Sequence, residues 1–357
     1  MRKRSLIAVF VAALCLLGSV SATAASATAT PRLHLPAPTG RYAVGTQDRY
    51  LVDRTREDPW AGGPRELMIT LTYPALPGGR PAPYLPGGIA AAVNAQAGSA
   101  LGAGPFDFGF TTPARAGAPM LPGRHPVLLY SPGAQSSRLL GTVLVEQLAS
   151  EGYVVVSLDH THDALAVDLP GGRVEPSTLP PSSEEVNRKL IATRVADVEF
   201  VLDRLGLDRV GMFGHSAGGF TAAEVMAADP RVVAGANLDG SMVFNAAAGR
   251  FGRAATEGLD RPFLLMSAGD HSSATDPSWA SFASTQRGPL VDIHEPAGEH
   301  GSFTDYEAWL PQLGADPAKV RAVIGDVDPE TMLRKEKAAL SGFFDSHLRK
   351  RRDLNPR

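Results

Sequence analysis

The chain has 357 residues, of which 44% are hydrophobic and 20% charged, so it has the length and apolar content for a full core. That composition excludes a disordered chain and a coiled coil. The formal charge of −3 becomes −6 once Arg2, Lys3 and Arg4 are removed, so no broad basic field exists to hold nucleic acid.

Those three basic residues precede an apolar run from Leu6 to Leu17, and small residues follow at Ala22, Ala24, Ala25 and Ala27. The layout reads as a secretory signal peptide over 1–27, which predicts a secreted mature chain of 28–357. The run is shorter than the ~20 residues a bilayer requires, and no second such run occurs. Cys15, the single cysteine, lies inside it, and Leu14 before it is not the small residue of a lipoprotein cleavage site. The processed chain would have no disulfide, thiolate nucleophile or Cys-ligated metal. Its chemistry must then use oxygen and imidazole.

After a Pro- and Ala-rich spacer, Tyr42 to Val52 and Glu66 to Tyr73 carry the aromatic and β-branched residues of strands, an antiparallel opening. The Gly/Pro/Ala-rich stretch between Pro74 and Pro122 is long for a loop and reads as a lid or rim insertion near 75–122, with one short helix from Ile89 to Leu101. From His125 onward, continuous apolar runs alternate with helical periodicity, the pattern of a parallel sheet covered on both faces. The runs are Pro126 to Tyr130, Tyr153 to Leu158, Val210 to Phe213, Val232 to Leu238, Pro262 to Ser267 and Leu290 to His294. The spacing predicts helices over Leu139 to Ser150, Ser183 to Leu205, Gly218 to Ala228, Trp279 to Thr285 and Pro329 to Arg349. Ser182 and Glu185 read as a capping box for the second of these. One α/β domain results.

Gly214-His-Ser-Ala-Gly218 matches Gly-x-Ser-x-Gly, a weak signal alone in a chain with 37 glycines. Its setting strengthens it, because a buried strand precedes the serine and an apolar helix follows. A sharp strand-to-helix turn crowds the backbone, so the positions two before and two after the serine must lack side chains. Gly214 and Gly218 meet that demand, which makes Ser216 the candidate nucleophile on a nucleophile elbow, with the Ala217 N–H as an oxyanion donor.

This architecture orders nucleophile, acid and histidine along the chain. Of the histidines beyond Ser216, His300 lies in the loop after the last strand, while His271 and His294 are alternatives and His347 sits in the terminal helix. Two aspartates follow strands, Asp239 and Asp270, and position alone leaves them even. The second oxyanion donor should come from Ser131-Pro-Gly-Ala-Gln135. Pro132 has no N–H, so Ala134 is the choice and Gln135 the substitute.

The segment from His125 to Asp305 resembles the platelet-activating factor acetylhydrolase family, of the plasma or lipoprotein-associated type, with its bacterial esterase relatives. The matching motifs are Leu129-Tyr-Ser-Pro-Gly-Ala, Leu148-Ala-Ser-Glu-Gly-Tyr-Val-Val-Val-Ser-Leu-Asp-His, Gly214-His-Ser-Ala-Gly-Gly, Ala236-Asn-Leu-Asp-Gly and His300-Gly-Ser-Phe-Thr-Asp. The resemblance implies an α/β-hydrolase fold and a serine esterase acting on short-acyl or phospholipid-type esters. It implies Asp239 as the acid, with Asp270 the alternative. A departure is Pro132-Gly133 where the family often has His-Gly. A general lipase or cutinase-like polyesterase is the close alternative, and a non-catalytic binding protein on the same scaffold is the rival from another class.

Asp159-His-Thr-His-Asp163 has the spacing of a metal site, but its place at a strand end reads as a rim loop. His215, beside the nucleophile, reads as a packing or hydrogen-bonding residue. The basic C-terminal end, including Lys350, Arg351 and Arg352, reads as a solvated helix end. No cofactor or metal is implied, and the partner is a small ester or lipid substrate.

Overall fold

The computed structural model describes residues 33–349; segment 1–27 and the basic Lys350, Arg351 and Arg352 lie outside them. The chain opens with two long strands, β1 (Ala43–Glu57) and β2 (Pro64–Ala75), paired antiparallel with Ala43 opposite Ala75 and Asp53 opposite Arg65. The stretch near 75–122 forms β3 (Arg80–Pro83), α1 (Gly87–Leu101) and β4 (Thr111–Ala116). The α/β part follows as β5 (Val127–Ser131), α2 (Thr142–Ser150), β6 (Val154–Asp159), the hairpin β7 (Ala166–Leu169) and β8 (Arg173–Pro176), α3 (Glu184–Leu205), β9 (Val210–His215), α4 (Ala217–Ala228) and β10 (Val232–Leu238). A small hairpin, β11 (Val243–Asn245) and β12 (Arg250–Phe251), precedes α5 (Arg253–Glu257), β13 (Phe263–Ala268), α6 (Pro277–Thr285), β14 (Leu290–Glu295), α7 (Tyr306–Trp309), α8 (Pro317–Ile324) and α9 (Pro329–Leu348).

The main sheet has the order β14-β13-β10-β9-β5-β6-β2-β1-β4-β3. Its six strands from β14 to β6 are parallel, and β2 pairs with β6 antiparallel, as the apolar runs and the antiparallel opening predict. Side-chain alternation along the strands separates two cores. Leu129, Val156, Met212 and Leu265 face α3, α4 and α6 through Val198, Phe220 and Trp279. Their neighbours Leu128, Val155, Phe213 and Leu264 face α2 and α9 through Leu144, Leu340 and Phe344.

Two expectations change. The 75–122 stretch extends the sheet edge with β3 and β4, and α1 buries Ile89, Val93 and Leu101 against Trp309, Leu313 and Ile324. Pro81 and Pro83 suit β3, because an outermost strand needs no complete hydrogen-bond ladder. The cap of α3 is Ser183, whose Oγ accepts the Val186 N–H at 3.2 Å, while Ser182 Oγ instead donates to Asn187 Oδ1 at 3.1 Å. Adjacent serines made either register plausible, and the backbone of Ser183 is the one in the extended cap conformation. The hairpin β7–β8 carried no strong strand signal and was not expected.

Glu307 on α7 and Glu336 on α9 are fully buried, and none of their four carboxyl oxygens has a partner among the described residues. Burial raises Glu307 to about 8 and Glu336 well above the usual carboxyl range. Below these raised values both groups stay neutral in the fold, whereas in the unfolded chain they ionise above about pH 4.5, so stability is full below about pH 4.5 and is lost as pH rises through about 8. A Glu307→Gln/Glu336→Gln variant should therefore unfold at a higher temperature than the parent at pH 8.5 and at nearly the same temperature at pH 4.5. Thermal melts at the two pH values check this.

Candidate active site

The turn from β9 to α4 has one residue, Ser216, between the strand's last residue and the helix's first. Ser216 is half-buried and holds φ 55° and ψ −124°, a conformation that costs a non-glycine residue roughly 1–3 kcal/mol. It persists because the surroundings hold it. The Ser216 N–H donates to the Leu238 carbonyl on β10 at 2.8 Å, and the Ser216 carbonyl accepts the N–H groups of Gly219 and Phe220. A Cβ on Gly218 would overlap the Ser131 carbonyl, and one on Gly214 would overlap the backbone of Gly218. The glycine spacing is thus set by direct contact between this turn and the end of β5.

Asp239 follows β10 with φ 61° and is buried. Its Oδ2 accepts His300 Nδ1–H at 2.6 Å, and its Oδ1 accepts the Ala268 N–H at 3.0 Å and His271 Nδ1–H at 2.7 Å. Burial works against charge on this carboxylate, but the hydrogen bonds from His271 and His300 outweigh it and hold its pKa well below the usual range. Asp270, the alternative acid, has an exposed side chain and takes no bond from His300 among the described residues. Its backbone carbonyl accepts Thr275 Oγ1–H at 2.6 Å.

His300 is half exposed and begins a single 3-10 turn, His300–Phe303. The turn is fixed by buried Phe303, by Ser302 Oγ donating to the Ile324 carbonyl at 2.7 Å, and by Asp305 just beyond. Asp305 accepts the N–H groups of Thr142 and Val143 at the start of α2 and the Tyr84 hydroxyl. The run from His300 to Asp305 is therefore an anchor for the histidine loop.

The His300 ring lies 4.5 Å, centroid to centroid, from the ring of His215, the residue before Ser216. His215 is buried and donates Nε2–H to the His300 carbonyl at 2.9 Å. Burial, with His300 beside it, lowers its pKa to about 3 and keeps it neutral. It is a hydrogen-bonding residue, as its position suggested. The alternative bases are engaged elsewhere: both ring nitrogens of His271 face carboxylates, Asp239 and Asp276, and His294 Nδ1 pairs with Ser267 Oγ.

Among the described residues, neither the Ala134 N–H nor the Ala217 N–H has an acceptor. The Gln135 N–H is taken by the Asp163 carbonyl at 3.2 Å and by Asp163 Oδ1 at 3.3 Å, which removes it as a substitute donor. Behind this loop stands Arg194 of α3, fully buried, donating to the carbonyls of Pro132 and Gly133 and to Asp163.

The run Asp159–Asp163 supplies structural pairs. His160 Nδ1 faces Asp197 at 3.0 Å and its Nε2 faces Ser131 Oγ at 2.9 Å, while His162 pairs with Asp58 and Glu175. Arg65 completes the network with Asp58, Asp197 and the Thr161 carbonyl. The sequence reading missed Arg65, Arg194 and Asp197 as supports. The signal was present on α3, where Arg194 and Asp197 interrupt the apolar stripe of Leu190, Ile191, Val198 and Val201 that the core buries.

The sequence model for the alpha/beta hydrolase fold matches residues 140–279. A ferulic acid esterase structure from Streptomyces cinnamoneus is 35% identical, covers 89% of this chain and 93% of its own, and superposes with a TM-score of 0.75. The chain belongs to the α/β-hydrolase family. Within it, the resemblance to platelet-activating factor acetylhydrolases and bacterial esterases agrees with a further relative, a probable 1-alkyl-2-acetylglycerophosphocholine esterase of Arthroderma benhamiae. That protein is 30% identical over 250 residues, 62% of this chain, and the chain spans 60% of the relative's length.

Removing one partner of a buried ion pair strands the other charge, at a cost of about 3–5 kcal/mol. Arg65→Met takes the only guanidinium from Asp58 among the described residues and one of two, with Arg56, from Asp197, and should lower unfolding free energy by that order. Denaturant titration of both proteins checks it.

Proposed function

We propose that the protein is a secreted carboxylic-ester hydrolase working through an acyl-serine intermediate, with Ser216 as nucleophile, His300 as base and acid, and Asp239 as the orienting carboxylate. Ser216 Oγ attacks the ester carbonyl carbon while His300 takes its proton. The N–H groups of Ala134 and Ala217 stabilise the tetrahedral oxyanion. The bond to the alcohol oxygen breaks as His300 returns the proton to it, and water activated by His300 then releases the acid. The observation that carries this reading is the 2.6 Å bond from His300 Nδ1 to Asp239 Oδ2, which fixes the imidazole tautomer with Nε2 free to accept a proton. The esterase names of both relatives support it. Export rests on the layout of residues 1–27.

For substrate, we favour short-acyl esters, including acetylated ether phospholipids, on the name of the Arthroderma relative and the family motifs. A second reading, esters of ferulic acid, is favoured by the higher identity and wider coverage of the Streptomyces structure. Rates on p-nitrophenyl esters of increasing acyl length, an acetylated ether phospholipid, methyl ferulate and a long-chain triglyceride emulsion separate them. A preference for methyl ferulate supports the second reading, and a preference for the emulsion supports a lipase. Ser216→Ala should lose roughly 10⁴-fold or more in kcat with an unchanged melting temperature. Equal turnover by that variant contradicts the mechanism.

A further inference from the structure

Beyond the three residues named above, the acid of the site has an uncommon surrounding. Asp239 accepts an imidazole N–H on each carboxylate oxygen: His300 on Oδ2 at 2.6 Å and His271 on Oδ1 at 2.7 Å. His271 in turn points Nε2 at Asp276 Oδ2, 2.9 Å away. Its ring lies edge-on to buried Trp279 with centroids 4.6 Å apart, so its orientation is held from the side as well.

Asp276 is anchored too. It caps α6, with Oδ1 accepting the Ser278 N–H at 2.7 Å and the Ser278 hydroxyl at 2.6 Å, and Oδ2 accepts the Ser241 hydroxyl. A neutral imidazole has one N–H, and its other nitrogen is an acceptor. Two carboxylates, one on each nitrogen, can both be satisfied only by the doubly protonated, cationic ring. Ser241 Oγ lies 3.5 Å from the same Nε2 and is already committed to Asp276, so it supplies no alternative donor.

We propose that His271 is a positioning residue of the hydrolytic site: an imidazolium clamped between Asp239 and Asp276 that holds Asp239 in place and offsets part of the charge Asp239 presents to His300. The inference rests on the proposed roles of Asp239 and His300. Its logic is electrostatic. A carboxylate beside an imidazole favours the protonated ring, and a cation on the carboxylate's other oxygen weakens that effect.

The titratable groups that face this chain are few. Asp239 and Asp276 face His271. Asp239 and neutral His215 face His300, with Glu299 at the start of its turn and exposed Asp270 nearby. Burial disfavours charge on His271, but its bonds to Asp239 and Asp276 raise its pKa to about 9, in line with the clamp.

The test is the pH dependence of kcat/KM for a p-nitrophenyl ester, measured on the full chain and on His271→Gln and Asp276→Asn. Both substitutions remove or weaken the cation, and the acid limb should move to higher pH, by about half a unit or more in His271→Gln. A loss of packing alone would lower the rate without moving that limb. A folded His271→Gln or Asp276→Asn protein whose acid limb coincides with the parent's overturns the proposal. Imidazole nitrogen NMR of the parent protein reads the clamp without reference to turnover. Two ring protons on His271 at pH 7 support it, and one overturns it whether or not the variants fold. A parent protein with no esterase activity would overturn the hydrolytic reading instead, and the NMR state of His271 distinguishes that failure from failure of the clamp.

Discussion

The site depends on a one-residue turn that the backbone would not adopt unaided. Ser216 sits in a left-handed conformation between β9 and α4, and it is held there because the backbone of Gly218 presses directly against the end of β5. The same contact ties the Ser216 turn to the loop that carries Ala134. One steric constraint therefore sets two parts of the site relative to each other, ahead of any substrate. The described non-glycine residues with positive φ are Gln135, His162, Ser216 and Asp239, and each follows a parallel strand at its carboxyl end, after β5, β6, β9 and β10. Backbone strain in this molecule is concentrated where ligands bind in open α/β sheets.

Such strain needs a rigid support, and much of it is ionic. Arg65 and Arg194 are fully buried and reach across β2, α3 and the loops after β5 and β6. Guanidinium groups suit this task because their fixed fork of donors reaches several carbonyls and carboxylates at once. Buried pairs of this kind add little net stability compared with apolar packing, but breaking one leaves a costly charge. Their effect is to fix the geometry of the loops behind Ala134. On the other side, Asp305 joins the His300 loop to the start of α2 by accepting the N–H groups of Thr142 and Val143.

Much of this was legible in the sequence. The apolar runs located the parallel strands because both faces of that sheet are covered, and Gly214 and Gly218 exposed the turn because nothing larger fits. The choice between Asp239 and Asp270 could not be made from position, since both follow adjacent strands; the resemblance favoured Asp239, which is the aspartate the fold brings to His300. The two edge strands of the 75–122 stretch were not legible, because its glycine, proline and alanine hide them. The roles of Arg65, Arg194 and His271 were also hidden. Each depends on partners more than thirty residues away or on a loop conformation that periodicity does not report.

The central claim is that the hydroxyl of Ser216 is chemically activated by its surroundings. It is tested most directly by treating the folded protein with a fluorophosphonate probe and mapping the adduct by peptide mass spectrometry. One adduct is expected, on Ser216, and it is lost when His300 is replaced by Ala. A folded protein that stays unmodified, or that carries the probe on a different residue, would contradict it.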